Sequence, residues 1–317
     1  MDFLGLAADT VVSFFGFPAG SAPAETLRFF VYDSVKVVLL LAFMVFLVSI
    51  VRTFITRERI RKWLGGRKEG FGNVLAALLG VPTPFCSCSA VPIFIGFVES
   101  GIPLGITFSF LISAPMVNEV AIALLLGLFG WKIALLYVLS GLFVAVVSGI
   151  VIGRLGLENQ IEPEVFETAR IRGKKMPSGW NARLSFARRE TARIFLKVVP
   201  FVLLGIGVGA MIHGFVPVDF LAGIAGKDSL LAVPVAVLIG IPLYSNAAGT
   251  IPVVQALTGK GMALGTALAF MMSVTALSFP EMVILRRVLK PKLLAVFVSV
   301  LFVSFVLTGI LFNALLA

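Results

Sequence analysis

Two cysteines, Cys86 and Cys88, are the whole thiol content of this 317-residue chain, and they stand one residue apart with Ser87 between them and Ser89 after. Thiolates are ligands for soft, thiophilic species, and two of them side by side can capture an acceptor with two exchangeable positions. A structural zinc usually takes four ligands, and with a single histidine the chain can build neither a zinc cluster nor a disulfide framework. An isolated cysteine in an apolar helix is ordinarily a small buried hydrophobe. The pairing, on proline-interrupted backbone beside two serines, favours functional thiols. At the matching position 160 residues later stands Asn246, with Tyr244, Ser245 and Thr250 around it. One tract therefore offers sulfur and the other amide and hydroxyl groups, while Asn246 also has the option of hydrogen-bonding its own loop backbone.

Two carboxylates complete the candidate chemistry. Glu119 follows Asn118 just past Pro115, with an apolar run continuing beyond it, so it is expected inside the membrane, where a carboxylate is costly and usually functional. Proton carriage is one role; an ion pair or a hydrogen bond that stabilises the break is the other. Glu281 is its expected counterpart if two residues are inserted after Ser273, and its nearness to Arg286 and Arg287 suggests a place at the membrane interface. Lys36 and Lys197 are expected to snorkel, His213 to lie near the outer end of its helix, and Met271 and Met272 to be packing residues.

The elements that must position these groups follow from composition. Hydrophobic residues make up 59% of the chain and charged ones 13%, with mean hydropathy +1.07, which identifies an integral membrane protein. The runs are long and continuous rather than short and alternating, so the spans are helices and not barrel strands. Eight apolar stretches are legible: 29–55, 71–98, 103–128, 131–153, 193–216, 231–257, 262–285 and 292–316. They fall into two sets of four. At an offset of 160, ten identities lie between positions 76 and 113, including Gly80/Gly240, Pro82/Pro242, Pro92/Pro252, Gly105/Gly265 and Ser113/Ser273. Two prolines ten residues apart, flanking a polar tract in each half, mark an internal repeat.

Charge then sets topology. Twenty of the 26 Lys and Arg residues sit in segments 52–68, 154–193 and 286–292, and the remainder of the chain is net acidic. Such clustering is the positive-inside signature and removes nucleic acid as a partner. Three full crossings between the first two segments would put them on opposite faces. They share the cytoplasmic face if 71–98 enters and returns as a re-entrant hairpin and 231–257 does the same from the other side. Pro82, Pro84, Pro92, Pro234, Pro242 and Pro252 interrupt these stretches, and irregular backbone at membrane depth survives only when covered by protein or lining a cavity. The helices that follow are expected to break at Pro115 and at Ser278-Phe279-Pro280. The expected fold is thus an all-α integral membrane protein: two inverted four-segment repeats, each with a re-entrant hairpin and a broken helix. An external segment 1–28 precedes the first repeat at 29–153, and a cytoplasmic linker at 154–192 leads into the second repeat at 193–317. Both termini are expected outside, and Asp2 and Asp9 argue against a signal peptide.

With TPFCSCSAVP at 83–92 and GIPLYSNAAGTIP at 240–252, the chain resembles the predicted-permease family that includes organoarsenical efflux permeases of the ArsP type and the YraQ-like proteins. The resemblance spans about 29 to 316. It implies an eight-segment permease of a prokaryotic cytoplasmic membrane, with relatives that extrude trivalent methylated or aromatic arsenicals through thiol chemistry. Cys86 and Cys88 become candidate As(III) ligands and Asn246 their second-half partner, with Ser87, Tyr244 and Ser245 beside them. Lacking a third cysteine, the chain suits a monosubstituted arsenical better than inorganic arsenite.

The leading expectation is a secondary transporter, not an enzyme, that exports a small thiophilic solute. No GxxxxGK[ST] loop is present, so coupling is to protons, an ion gradient or downhill flow, with Glu119 and Glu281 as the coupling candidates. A membrane thiol-disulfide oxidoreductase is the alternative, although that scheme wants a cysteine in each half. A channel or importer for a sulfur-containing solute is a third reading. The sequence calls for no cofactor, its partners are the bilayer and a small molecule, and a homo-oligomer is compatible with it.

Overall fold

In the computed structural model the described residues are 3–18, 20–54, 69–81, 87–163, 179–215, 231–243, 245, 247–286 and 288–316, and they are helical almost throughout. The first half holds α1 (Phe3–Phe14), α2 (Ala22–Phe54), α3 (Phe71–Gly80), α4 (Ser87–Glu99), α5 (Leu104–Met116), α6 (Glu119–Phe129) and α7 (Trp131–Arg154). The second holds α8 (Trp180–Phe215), α9 (Ala232–Gly240), α10 (Ala247–Gly259), α11 (Leu264–Ala276), α12 (Phe279–Leu285) and α13 (Pro291–Leu316). The only β pairing among the described residues is one bridge, Ile161 to Leu289. Ala22–Leu47, Trp131–Arg154, Leu264–Leu285 and Pro291–Leu316 are each long and apolar enough to cross a bilayer, and α5 with α6 makes a fifth such unit, bent by 45°.

Local chemistry explains where the helices begin and stop. Ser21 accepts the Ala24 amide at 3.4 Å and Pro23 lies in the first turn of α2, where a missing N–H costs nothing. At the far end of the apolar stretch 71–98, Gly101 takes φ 73° and lets the Ile102 amide reach the Phe97 carbonyl at 3.2 Å, which ends α4. Gly261 does the same at φ 98°, with Met262 donating to Leu257 at 3.1 Å. The chain thus leaves α4 and α10 by the same turn, 160 residues apart.

The repeat extends into tertiary contacts. Helix α5 lies against α3, α4 and α7, and α11 lies against α9, α10 and α13 in the same pattern. These two central helices are buried along nearly their whole length. Small residues allow the approach: a Cβ on Gly105 would meet the Gly149 carbonyl oxygen at 2.6 Å, and a Cβ on Gly265 would meet the Gly309 carbonyl oxygen at 2.6 Å. Gly80 is pressed against Ser113 and Ala114, as Gly240 is against Ser273. Tight small-residue seams of this kind are the usual cohesive contact between helices in lipid, where apolar side chains gain nothing by leaving the solvent. The pair Gly149 and Gly309 keeps the same 160-residue offset, beyond the stretch in which the sequence comparison finds identities.

The halves meet most extensively where α2 lies along α8, and helices α7 and α13 meet as well. Ser148 and Ser304 bring their hydroxyls to 3.3 Å. Beyond the end of α7 the chain pairs with the stretch just before α13: the Glu162 amide donates to the Val288 carbonyl at 2.8 Å, the Lys290 amide to Gln160 at 2.8 Å, and Arg286 to the Glu162 carboxylate at 2.9 Å. The end of one helix and the start of the other are therefore joined at one end of the pair, and the two run antiparallel. Their outward faces, with Leu135, Leu139 and Phe143 on α7 and Val303, Leu307 and Leu311 on α13, are exposed and apolar, as a lipid-facing belt must be.

Two boundaries differ from the sequence expectation. Helix α8 begins at Trp180 instead of 193, so the last part of the expected linker 154–192 is helical. Residues 181–192 include three Ala and three Arg, good helix formers that hydropathy does not flag. Within the expected external segment 1–28, α1 packs on α2 and the Arg28 guanidinium binds Asp9 at 2.7 Å. Segments 55–68 and 164–178 lie outside the described residues.

The seam predicts a specific sensitivity. Gly105→Ala and Gly265→Ala should each lower the melting temperature of the detergent-solubilised protein, at a cost of about 1–3 kcal/mol for overpacking. Gly127→Ala, at a position where an added methyl would meet nothing within 4 Å, should not. Equal effects at all three would remove the seam from the account of stability.

Candidate functional site

The cysteine tract joins α3 to α4. Cys86 lies outside the described residues, and so do Tyr244 and Asn246; Ser87 and Cys88 are described as the first residues of α4 in their backbone alone. The helix they open is firmly held: Phe94 packs edge-on to Phe108 at 5.2 Å between ring centres, and Phe97 meets Phe110 at 5.1 Å. Cys88 thus sits in the first turn of a helix whose body is wedged against α5. In the second tract the Leu243 amide closes a turn on the Gly240 carbonyl at 3.1 Å, Ser245 is half-buried and Thr250 is buried. Helix α10 starts at Ala247, one position beyond Asn246.

The breaks expected at Pro115 and at Ser278-Phe279-Pro280 are both present. In the first, Val117 is the residue out of helix and Asn118 caps α6: its Oδ1 accepts the Ala121 amide at 2.8 Å while its Nδ2 donates to the Pro115 carbonyl at 3.2 Å. In the second, Leu277 and Ser278 hold the corresponding places, with Pro280 in the first turn of α12. The Val117 amide donates to Ser113 and the Leu277 amide to Ser273, so the breaks match at an offset of 160 with no insertion.

That register corrects the pairing of the carboxylates. Glu119 opens α6 and corresponds to Phe279, while Glu281 corresponds to Ala121. Their burial within the protein differs as well. Glu119 is exposed on the surface of the chain, because α6 buries Ala121 and Leu125, four apart, and position 119 lies off that face. Glu281 is 1% exposed, since α12 turns its third position inward. Arg286 binds the Glu162 carboxylate at 2.9 Å. The ammonium of Lys36 lies 5.3 Å from the Tyr32 ring centre, in keeping with an interfacial role. Met271 and Met272 are fully buried on α11 as packing residues.

The post-break helices exchange partners between halves. Helix α6 packs on α10, which the second tract opens into, and α12 packs on α4, which carries Cys88. The Phe279 amide donates to the Ile241 carbonyl at 2.9 Å, tying the second break to the start of its own half's proline tract. Where the halves meet, the wholly buried Tyr137 hydroxyl lies beside Thr275, whose own hydroxyl donates to the Met271 carbonyl at 2.9 Å. Sequence reasoning gave no chemical role to Tyr137, Thr275 or Ser278. Only the last carries a usable signal, the Ser-x-x-Glu spacing of a helix start. No group of three metal-ligating side chains exists among the described residues.

Several apolar helices of spanning length, two of them broken beside a proline, define a multi-pass membrane protein of the permease class. The chain belongs to the predicted permease family ArsP_1, whose family model matches residues 23–314. It is 24% identical to the UPF0718 protein YraQ of Escherichia coli over 84% of this chain and 74% of that one. A UPF0718 protein of Methanocaldococcus jannaschii is 22% identical, covering 81% of this chain and 86% of the other. A Streptococcus mutans protein, named as a candidate subunit of a two-component membrane permease complex, is 23% identical over 61% of this chain and 64% of its own. No solved structure matches the chain at a significant level.

The caps yield a direct test. Asn118→Ala should cost about 1 kcal/mol by removing the cap of α6, and Asn118→Asp should recover much of it. Thermal melting of the purified protein reads both, and an unchanged melting temperature in Asn118→Ala would deny the cap its part in holding the break.

Proposed function

We propose that this protein is a secondary permease of a prokaryotic cytoplasmic membrane that exports a small thiophilic solute, with a trivalent monosubstituted organoarsenical as the best-matching class. The observation that carries the reading is the Cys86-Ser87-Cys88 sequence, whose last two residues open α4, the helix that the second half's post-break helix packs against. Two thiols bind an arsenic with two exchangeable positions while the organic substituent stays free. Asn246, Tyr244, Ser245 and Ser87 supply the polar remainder of the site. Movement of α12 relative to α4 would then alter the surroundings of the thiols.

Alternating access is the mechanism in this reading. Corresponding helices α7 and α13 run antiparallel, which supports inverted repeats, since a parallel duplication would leave them pointing the same way. The short α3 and α9, each ending at a proline tract, support re-entrant hairpins entering from opposite faces. With the basic segments cytoplasmic, both termini lie outside. Coupling falls to a carboxylate at a helix break, without nucleotide.

Single cysteine labels at Glu58, Arg172 and Lys290, in a background with Cys86 and Cys88 replaced by serine, should all react from the cytoplasmic side. Opposite sidedness of the first two would overturn the hairpins. For the chemistry, uptake of an externally supplied trivalent phenylarsenical into everted vesicles is the assay, with arsenic accumulation read by elemental mass spectrometry. Cys86→Ser with Cys88→Ser should lower transport about tenfold or more, ~1.4 kcal/mol of lost binding, while folded protein remains in the membrane. Unchanged transport would make both cysteines packing residues.

A further inference from the structure

One turn of α7 reaches both helix breaks. At Gly141 the helix is pressed onto the first: an added Cβ would meet Val117 Cγ2 at 2.5 Å and Met116 Cε at 3.1 Å, and Val117 lies between the end of α5 and the start of α6. One turn earlier on α7, Tyr137 is wholly buried, and its hydroxyl lies beside Thr275, two residues before Leu277 at the second break. Helix α7 belongs to the first half and α11 to the second, so this pair of side chains meets across the halves.

The two hydroxyls are complementary. Thr275 gives its proton to the Met271 carbonyl at 2.9 Å, which leaves lone pairs on its oxygen open to a donor. The Tyr137 phenol has a proton to give, and in the observed arrangement it makes no hydrogen bond of regular geometry among the described residues. Buried tyrosine hydroxyls ordinarily find a partner, and one left unsatisfied costs free energy. A small approach of the end of α11 to α7 closes the bond.

The repeated scaffold does not call for this contact. At the 160-residue offset Gly141 and Tyr137 correspond to Leu301 and Phe297 on α13, and Thr275 corresponds to Pro115. Phe297 packs its ring against Phe108 at 5.5 Å between centres. The equivalent positions in the other half thus have no hydroxyl to share.

We propose that Tyr137 and Thr275 form a switchable tie between the halves, in which the phenol donates to Thr275 Oγ1 in one arrangement of the second break and releases it in another. Tyr137 is a positioning residue in this scheme. Acting through the end of α11, it sets where α12 stands relative to α6, whose break α7 holds at Gly141. As a step in transport the inference rests on the permease reading, but the tie is measurable without any solute.

The full-length protein in mixed micelles is unfolded with sodium dodecyl sulfate for the wild type, Tyr137→Phe, Thr275→Val and the double variant. A tie predicts losses that are not additive, with a coupling of about threefold or more in the unfolding equilibrium. Thr275→Ser, which keeps the hydroxyl, should retain its coupling to Tyr137→Phe. Additive losses overturn the tie. Position is read separately, from spin–spin distances between labels on Leu126→Cys in α6 and Phe279→Cys in α12, both exposed sites, in a background with Cys86→Ser and Cys88→Ser. Tyr137→Phe and Thr275→Val should each shift the balance of distances about threefold or more, and Thr275→Ser should leave it as in the wild type. An unchanged distribution in Tyr137→Phe overturns the positioning role, whatever the stability cycle gives. Should either single variant fail to fold, the distances in the other decide by the same criterion. Phenylarsenical uptake by everted vesicles separates the two readings: no uptake by the wild type defeats the permease and leaves the tie standing, whereas wild-type uptake with an unchanged distribution in Tyr137→Phe defeats the tie alone.

Discussion

Backbone that cannot form its helical hydrogen bonds has nowhere to find them in hydrocarbon, and this chain interrupts its apolar helices repeatedly. At the breaks, the amides and carbonyls left out of the helical ladder must be satisfied by protein. The architecture follows from that need. The interrupted segments are gathered at the centre, the central helices α5 and α11 are almost wholly buried, and the uninterrupted α7 and α13 face the surrounding lipid with their exposed apolar sides. Each break is closed by a different device: Asn118 folds its own amide over the first, and the Ile241 carbonyl takes the Phe279 amide at the second.

Covering the breaks requires close helix approach, and small residues make it available. The Gly105–Gly149 and Gly265–Gly309 seams put backbone against backbone in both halves, and Asn73 and Asn313 reinforce them differently. Asn73 donates to Ser109 at 2.9 Å in the first half, and Asn313 donates to Thr266 at 3.0 Å in the second. A common scaffold thus carries two distinct sets of polar contacts. The same divergence reaches the site, where one half has paired thiols and the other a buried carboxylate, and the exchange of α6 and α12 between halves brings those unlike groups' helices together.

Much of this was legible in the sequence. Hydropathy located every long helix, prolines marked the interruptions, and the 160-residue offset paired Gly105 with Gly265, though only the structure shows that both lie in matching seams. Boundaries were less legible where a helix leaves the apolar region, as α8 does, because hydropathy registers the membrane and not the helix. Pairing Glu119 with Glu281 went astray for a related reason: a four-residue likeness, Glu-Val-Ala-Ile against Glu-Met-Val-Ile, outweighed the register that the breaks themselves impose.

By itself, then, the sequence determined the membrane class, the order of the helices, the repeat and the place of the cysteine pair, since all of these depend on composition and on spacing along one chain. Tertiary structure alone decided which carboxylate is enclosed, which post-break helix meets which tract, and that Ser278 is buried without capping its helix. Those outcomes depend on which face of a short helix a neighbour covers. With α12 only seven residues long and apolar on most sides, no periodicity within it distinguishes the covered face from the open one; the partner helices make that choice.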